Sequence, residues 1–140
     1  MDKKRIIIPA TAAIGLLLTA CADPIVGEWE LRSLNGQRWP DVYNYDGCTY
    51  RATMEADVDE DLDVRLVQTY TNSGDCDGYD GVYTYIYSGD VDVEDKRKKY
   101  EITLFADYDS LLLDCKLDKR KDELECDDIE HNDQYKWERK

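Results

Sequence analysis

A run of alternating aspartates is the feature of this sequence that most suggests ligand chemistry. Aspartate occupies every second position from Asp57 to Asp63, and carboxylate oxygens are the ligands that Ca²⁺ prefers. A calcium-binding EF-hand loop starting at Asp57 requires glycine at its sixth position and glutamate at its twelfth, where this chain has Leu62 and Gln68. The alternatives are a looser loop that binds a hard cation and a charged hairpin tip, which opposes edge-to-edge aggregation and is the interpretation that we favour. We therefore predict no metal site and no cofactor.

Nucleophilic catalysis has little support in the sequence. His131 is the only histidine, so a catalytic triad that uses histidine would have to include it. It lies in Glu130-His131-Asn132-Asp133, which is typical of a polar turn. The chain contains no Gly-x-Ser-x-Gly elbow, no HExxH motif and no glycine-rich phosphate loop. We predict that the protein is not an enzyme.

The N-terminus has the features of an export signal. Basic residues 3–5 precede an apolar run from Ile6 to Leu18, which is shorter than the roughly 20 residues that a spanning helix needs. The run ends in Leu18-Thr19-Ala20-Cys21, which resembles the lipobox of bacterial lipoproteins. The alternative is an ordinary secretory signal in which a cysteine occurs by chance.

The lipobox resemblance implies cleavage before Cys21 and attachment of acyl chains that hold the protein to a membrane. It also implies the periplasmic face of the outer membrane, because Ala22 is not the Asp that retains such lipoproteins at the inner membrane. The expected organisation is a signal peptide over residues 1–20, a lipidated tether over 21–24 and one domain over 25–140.

The remaining cysteines indicate two disulfides, since an even number in an exported chain is typical of a disulfide framework. Setting Cys21 aside, they are Cys48, Cys76, Cys115 and Cys126. A hairpin with its turn at 118–122 places Cys115 opposite Cys126, within disulfide range. By elimination the second bridge is Cys48–Cys76. A zinc site is the competing interpretation, but it lacks Cys-x-x-Cys pairs.

The composition excludes several classes of partner. The chain has 140 residues, with 18 Lys and Arg against 32 Asp and Glu, for a net charge of −14. This charge argues against nucleic acid, whose affinity depends on cationic side chains, and against charge-driven docking on anionic lipid. At 42% hydrophobic and 11% aromatic residues, the chain is too apolar for a disordered acidic segment.

Alternation of apolar and polar residues predicts an all-β fold. Strand-like segments recur every 8–12 residues, with turn residues between them. They cover residues 25–32, 49–55, 62–70, 82–87, 100–104, 111–117, 124–126 and 135–137. An eight-stranded antiparallel up-and-down barrel removes all sheet edges and is the fold that we predict.

The first strand carries a family signature. Gly27 and Trp29, in Ile25-Val26-Gly27-Glu28-Trp29-Glu30-Leu31, resemble the Gly-x-Trp of lipocalin-like domains. The resemblance implies that Trp29 plugs the closed end of the barrel. A basic residue near the last strand covers this tryptophan in the family, and Arg139 is the residue available for that role.

The same resemblance implies an open end formed by the links opposite the tether. We hypothesise an apolar pocket there, facing away from the membrane, lined by Trp39, Tyr43, Tyr45, Leu66, Tyr70 and Leu104. The alternative is a barrel filled by its own side chains. The sequence therefore leaves two functions open. One is an envelope lipoprotein that binds a small apolar ligand or has a structural or stress role. The other is a protein-binding inhibitor of a cationic enzyme such as lysozyme.

Overall fold

Ten β-strands, joined by short turns, make up the described part of the chain. The structure is a computed structural model and describes residues 22–95 and 98–140. The strands are β1 (Gly27–Leu34), β2 (Gln37–Arg38), β3 (Asp41–Tyr45), β4 (Cys48–Val58), β5 (Asp63–Gly74), β6 (Gly81–Asp95), β7 (Lys99–Phe105), β8 (Ser110–Asp118), β9 (Glu123–Asp128) and β10 (Gln134–Arg139). The described residues contain no helix that is long and apolar enough to cross a membrane. Cys21 and the residues before it lie outside the described part.

The strands close into an eight-stranded antiparallel barrel. Neighbours follow the order β1-β10-β9-β8-β7-β6-β5-β4, and β4 returns to β1. On one side of β1, Trp29 lies opposite Arg139, and on the other Gly27 lies opposite Val58. The predicted up-and-down barrel is therefore confirmed. The strands β2 and β3 lie outside the closed ring, on β1 and β4 respectively.

The segment between the first two barrel strands, for which the sequence predicts no strand, is folded into two short strands. These strands are β2, which a two-residue turn joins to β1, and β3, which a second two-residue turn joins to β4. Asn35 and Gly36 both have positive φ (51° and 81°), as do Asp46 and Gly47 (52° and 86°). These are the conformations of the type I′ turn, whose twist suits a tight hairpin. Each turn therefore folds a short strand back on a barrel strand.

The barrel interior is a continuous apolar core. Every second residue of each barrel strand points inward, so that side chains from all eight strands meet. The largest buried side chains include Trp29, Tyr100, Leu66, Leu104 and Leu113, each no more than 2% exposed. This packing defines one face of every strand as internal and fixes the register.

Trp29 closes the end of the barrel where the described chain begins. Its indole Nε1 donates a 2.9 Å hydrogen bond to the carbonyl of Ile25, and the guanidinium of Arg139 lies 4.4 Å above its ring. Arg139 also donates to the carbonyls of Val26 (2.9 Å) and Pro24 (2.5 Å). A Cβ on Gly27 would lie 2.6 Å from Nη1 of Arg139, so glycine leaves the space that the guanidinium occupies. The structure thus places Gly27, Trp29 and Arg139 together at this end of the barrel.

Both disulfides have the predicted pairing. Cys115 and Cys126 are directly opposite in the β8–β9 ladder, with their Cα atoms 4.1 Å apart. The Cys48–Cys76 bridge joins the first residue of β4 to the β5–β6 loop, with a Cα separation of 4.8 Å. The first bridge lies inside the barrel wall, and the second holds a loop at the opposite end from Trp29.

Candidate functional site

Tyrosines cover the inward face of the sheet at the end of the barrel opposite Trp29. Directly opposite residues of antiparallel strands share a face, so the register assigns each side chain. Tyr43 of β3 lies opposite Tyr50 of β4, and Tyr70 of β5 lies opposite Tyr83 of β6. The set, which we call the tyrosine panel, consists of Tyr43, Tyr45, Tyr50, Tyr70, Tyr83, Tyr85 and Tyr87.

The panel is exposed because its strands are longer than those across the barrel. β5 and β6 have 12 and 15 residues, whereas β7 and β10 have 7 and 6. The end of β5 and the beginning of β6 therefore extend beyond the shorter strands, at the end of the barrel opposite Trp29. Inward side chains in these two segments face no opposing strand. Tyr83 and Tyr85 are 47% and 55% exposed. Large exposed aromatic side chains gathered on one face are typical of a binding surface.

The panel contains an open groove with uncharged polar walls. Its volume is about 490 Å³, and it is lined by Gln68, Tyr70, Asn72, Tyr83, Tyr85 and Tyr87. The rings support one another: Tyr43 stacks on Tyr50 with centroids 4.9 Å apart, and Tyr70 meets Tyr85 edge-on at 5.8 Å. Such contacts hold the rings in place and present a partly ordered surface to a partner.

An acidic cup adjoins the groove and shares Gln68 and Tyr87 with it. The cup has a volume of about 210 Å³ and includes the carboxylates of Asp109, Asp128 and Asp133. The hydroxyl of Tyr87 donates a 2.9 Å hydrogen bond to Asp109. Burial and this hydrogen bond raise the pKa of Tyr87 to about 12, so the phenol keeps its proton at neutral pH. The mouth of the barrel thus combines aromatic rings with negative charge.

His131 lies between two of these carboxylates. Its Nδ1 is 2.8 Å from Oδ2 of Asp128, which is buried, and its Nε2 is 4.0 Å from Oδ1 of Asp109. The hydrogen bond to Asp128, together with that carboxylate's charge, raises the pKa of His131. Asp128 also accepts hydrogen bonds from the backbone N–H groups of Glu130 (3.0 Å) and His131 (3.2 Å). Because both ring nitrogens face carboxylates, the arrangement favours an imidazolium, which is a poor general base.

Two of the residues predicted to line a pocket lie in the packed core instead. Leu66 and Leu104 are 1% and 0% exposed, and both border a void of about 20 Å³. A space of this size holds about one water molecule. The side chains around Leu66 and Leu104 therefore fill the interior and leave no room for a ligand.

The predicted aromatic residues lie nearer the surface and not in one cavity with these leucines. Trp39 is buried, and its backbone N–H donates to the carbonyl of Arg32 in β1. Tyr43 and Tyr45 are 56% and 72% exposed on β3, and Tyr70 lies in the groove. The structure thus brings Tyr43, Tyr45 and Tyr70 onto one face but does not form the hypothesised apolar pocket.

The aspartate run forms a turn stabilised by its own side chains. Carboxylate oxygens of Asp59, Asp61 and Asp63 lie within 4.8 Å of one another, and all three residues are exposed. Oδ1 of Asp59 accepts 3.0 Å hydrogen bonds from the backbone N–H groups of Asp61 and Asp63. One carboxylate is therefore used to hold the β4–β5 turn.

A second open groove lies at the Trp29 end, beside the β8–β9 turn. Its volume is about 570 Å³, and it is lined by Lys98, Lys116, Leu117, Asp118, Lys119, Arg120 and Glu125. Its four cationic side chains are interspersed with the carboxylates of Asp118 and Glu125.

Sequence reasoning missed the acidic cup and most of the tyrosine panel. The available signals were the alternation of tyrosine from Tyr83 to Tyr87 and an aspartate, Asp128, two residues after the buried Cys126. An acidic residue at an inward position indicates a partner for its charge, which here is His131.

Comparison of the chain with family models, with curated proteins and with solved structures gives no match.

Proposed function

We propose that this protein is an exported, lipid-anchored binding protein that recognises a cationic partner protein through the tyrosine panel. The observation that carries the proposal is an uncharged, tyrosine-rich and exposed face at the open end of the barrel, beside the carboxylates of the acidic cup. An inhibitor of a cationic enzyme such as lysozyme is the specific form of this function that we favour.

The chemistry of the panel suits a protein partner. Tyrosine supplies a large contact area at low cost in conformational entropy, which is why tyrosine is enriched at protein interfaces. The panel is nearly free of charge, whereas 36% of the whole chain is charged. Uncharged surface at the centre of an interface, with charge at its rim, is the usual anatomy of a specific complex.

The sign of the partner's charge follows from the electrostatics. The chain carries a net charge of −14. Asp109, Asp128 and Asp133 line the cup next to the groove, and a protonated His131 offsets only one of these three charges. A negative field steers a cationic protein toward this end and speeds its association. Lysine and arginine side chains that reach the groove also gain cation–π contact with the tyrosine rings.

The filled interior argues against the other candidate, a carrier of small apolar ligands. A drug-sized ligand needs a cavity of about 300–1,000 Å³. The void beside Leu66 and Leu104 is about 20 Å³. An apolar carrier would require the core to repack, whereas protein recognition uses a surface that is already present.

The proposed location rests on the lipobox and on the disulfides. Cys48–Cys76 and Cys115–Cys126 support a compartment outside the reducing cytoplasm. Acylation of Cys21 would attach the protein to the periplasmic face of the outer membrane, as the Leu18-Thr19-Ala20-Cys21 sequence implies. The placement of Gly27, Trp29 and Arg139 supports the proposed relationship to lipocalin-like domains.

The test is a binding and inhibition measurement with lysozyme. We expect the oxidised protein to bind it and inhibit its hydrolysis of cell walls, with an association rate that falls as salt rises. The variant Tyr83→Ser/Tyr85→Ser should weaken binding about thirtyfold or more, because truncation of interface tyrosines commonly removes hot spots. Val93→Ser is the control, since Val93 is an exposed side chain of β6 that lies opposite Tyr100, near the Trp29 end and away from the panel.

If the double variant and the control bind lysozyme with equal affinity, the tyrosine panel is not part of the interface. Absence of binding would contradict the proposed inhibitor of lysozyme.

A further inference from the structure

The upper part of β6 has an unpaired edge. Gly81 to Tyr87 pair with β5, but the ladder between β6 and β7 begins only at Ser88, opposite Phe105. The exposed fractions of Val82 and Ile86 are 66% and 45%. A sheet edge therefore remains open along one side of the tyrosine panel, although the barrel below it is closed.

The alternation of hydrogen bonds along β6 shows which main-chain groups point to the open edge. The backbone N–H of Val91 donates to the carbonyl of Leu62, on the β5 side. In an antiparallel ladder the bonded pairs alternate, so the odd-numbered residues of β6 bond to β5. The even-numbered Val82, Thr84 and Ile86 therefore direct their N–H and C=O groups to the open side. In residues 22–95 and 98–140 no loop group bonds to them.

This edge lacks the features that normally protect a strand from pairing. Proteins protect open edges with charged residues, proline or bulges. The stretch from Gly81 to Gly89 contains no charged residue and no proline, and it is rich in β-branched and aromatic residues. Within so highly charged a chain, an open and uncharged strand is a template for an added strand.

We propose that the Gly81–Tyr87 edge of β6 accepts an extended segment of the cationic partner as an antiparallel strand. The cationic character of this segment rests on the proposed function. The added strand takes the position that β7 would occupy if it continued beyond Phe105. Its inward side chains then lie beside Tyr83, Tyr85 and Asp109, which favours lysine or arginine. Its outward side chains lie beside Val82 and Ile86, which favours apolar residues.

The same reasoning disfavours a second copy of the chain as the occupant. Two copies would each bring a net charge of −14 to the contact, so they repel each other. A cationic strand gains attraction from the same charge. The partner segment should therefore alternate cationic and apolar residues, with the cations facing the panel.

The probe is the peptide Lys-Val-Lys-Val-Lys-Val-Lys, acetylated and amidated at its ends. The protein is the full chain carrying Cys21→Ser, exported and oxidised, and labelled with ¹⁵N. In the free protein we expect the amides of Val82, Thr84 and Ile86 to exchange rapidly and those of Tyr83 and Tyr85 to be protected by β5. The peptide should slow exchange at Val82, Thr84 and Ile86.

Two methylated peptides separate main-chain pairing from side-chain recognition. In an antiparallel ladder the peptide residues that bond to β6 share the outward face of Thr84 and are the valines. N-methylation of the valines should weaken binding about tenfold or more, because it removes these donors. N-methylation of the lysines, whose N–H groups point away from β6, should leave affinity within about threefold.

Equal affinities for the two methylated peptides, with no change in exchange at Val82, Thr84 and Ile86, would overturn the edge inference. The proposed function would survive that result if Tyr83→Ser/Tyr85→Ser still weakened lysozyme binding. Dimers of the protein alone that protect the same amides would also overturn it, because the occupant would then be a second copy.

Discussion

Replacing Arg139 with alanine tests how the barrel is closed around Trp29. The guanidinium lies 4.4 Å above the ring of Trp29, which is 1% exposed, and donates to the carbonyls of Val26 and Pro24. Alanine removes the cation and both donors, so the carbonyls lose their partners. The Arg139 side chain is itself 29% exposed, which moderates each contribution.

The magnitude follows from these contacts. A cation–π contact on a buried ring contributes about 1–2 kcal/mol, and a hydrogen bond from a charged donor about 1.5 kcal/mol. Allowing for the partial exposure of Arg139, we expect Arg139→Ala to lower the free energy of unfolding by about 3 kcal/mol. For a domain of this size, this corresponds to a fall in Tm of about 10 °C. Arg139→Lys keeps the charge but loses the planar fork, and should lie about midway.

The assay is urea and thermal unfolding of the oxidised protein, followed by tryptophan fluorescence. Arg32→Ala is the control, because Arg32 pairs with Glu30 and Glu138 on the exposed surface and should contribute less than about 1 kcal/mol. If Arg139→Ala is no less stable than Arg32→Ala, the contacts of Arg139 do not close the barrel and the reasoning fails.

Three further changes address the rim, a disulfide and the acidic cup. A Cβ on Gly89 would lie 1.7 Å from a backbone oxygen of β7, so Gly89→Ala should prevent folding or lower Tm by more than 10 °C, as circular dichroism would show. Cys48→Ser/Cys76→Ser should lower the free energy of unfolding by about 3–4 kcal/mol in urea titrations, since the bridge closes a separation of 28 residues. Asp128 raises the pKa of His131 above 6.5, so the stabilisation is complete below pH 6.5 and disappears as the pH rises through the folded pKa. Unfolding between pH 5.5 and 8.5 should therefore be less pH-dependent in His131→Gln, and identical profiles would contradict the ion pair.

The barrel could be predicted because the sequence pattern that specifies it, the alternation of apolar and polar residues, is local and recurs in every strand. Strict alternation identifies a strand, and the Cys115–Cys126 pair adds a long-range constraint that sets a register. Gly27, Trp29 and Arg139 could be placed together because closure of the barrel brings the last strand beside the first. The strands and the Cys115–Cys126 pair need only the period of the strands and their order along the chain, whereas the role of Arg139 beside Trp29 was implied by the resemblance to lipocalin-like domains.

The two short outer strands could have been predicted but were not. Asn35-Gly36 and Asp46-Gly47 are dipeptides that favour type I′ turns, and both have the positive φ values that this turn requires. The alternation in β3 is carried by Tyr43 and Tyr45 and not by aliphatic residues, so its strand signal is weak.

The tyrosine panel could not be predicted, because it depends on how far neighbouring strands extend relative to one another. Periodicity shows that Tyr83 and Tyr85 share a face but not which face is inward. Val82 and Ile86 are the more apolar alternative for the core. The register decides the question, since Leu66 of the core lies opposite Tyr87 and therefore turns the tyrosines inward. Similarly, the pairing of His131 with Asp128 depends on the shape of the β9–β10 turn.

The position of β1 in the closed ring would have a mechanical consequence if the chain is tethered at Cys21 and binds a partner at the mouth, as proposed above. Tension between the two would pass through the barrel and enter it along β1. Over Gly27 to Glu30 this strand is hydrogen-bonded to β4, and from Trp29 onward to β10. Tension parallel to these ladders shears many hydrogen bonds at once and cannot open them one by one. The hydrogen bond from Tyr100 to Asp23 (2.5 Å) adds a fastening ahead of the strand. Under the proposed tethering, the barrel would therefore be loaded in the direction in which its ladders resist most.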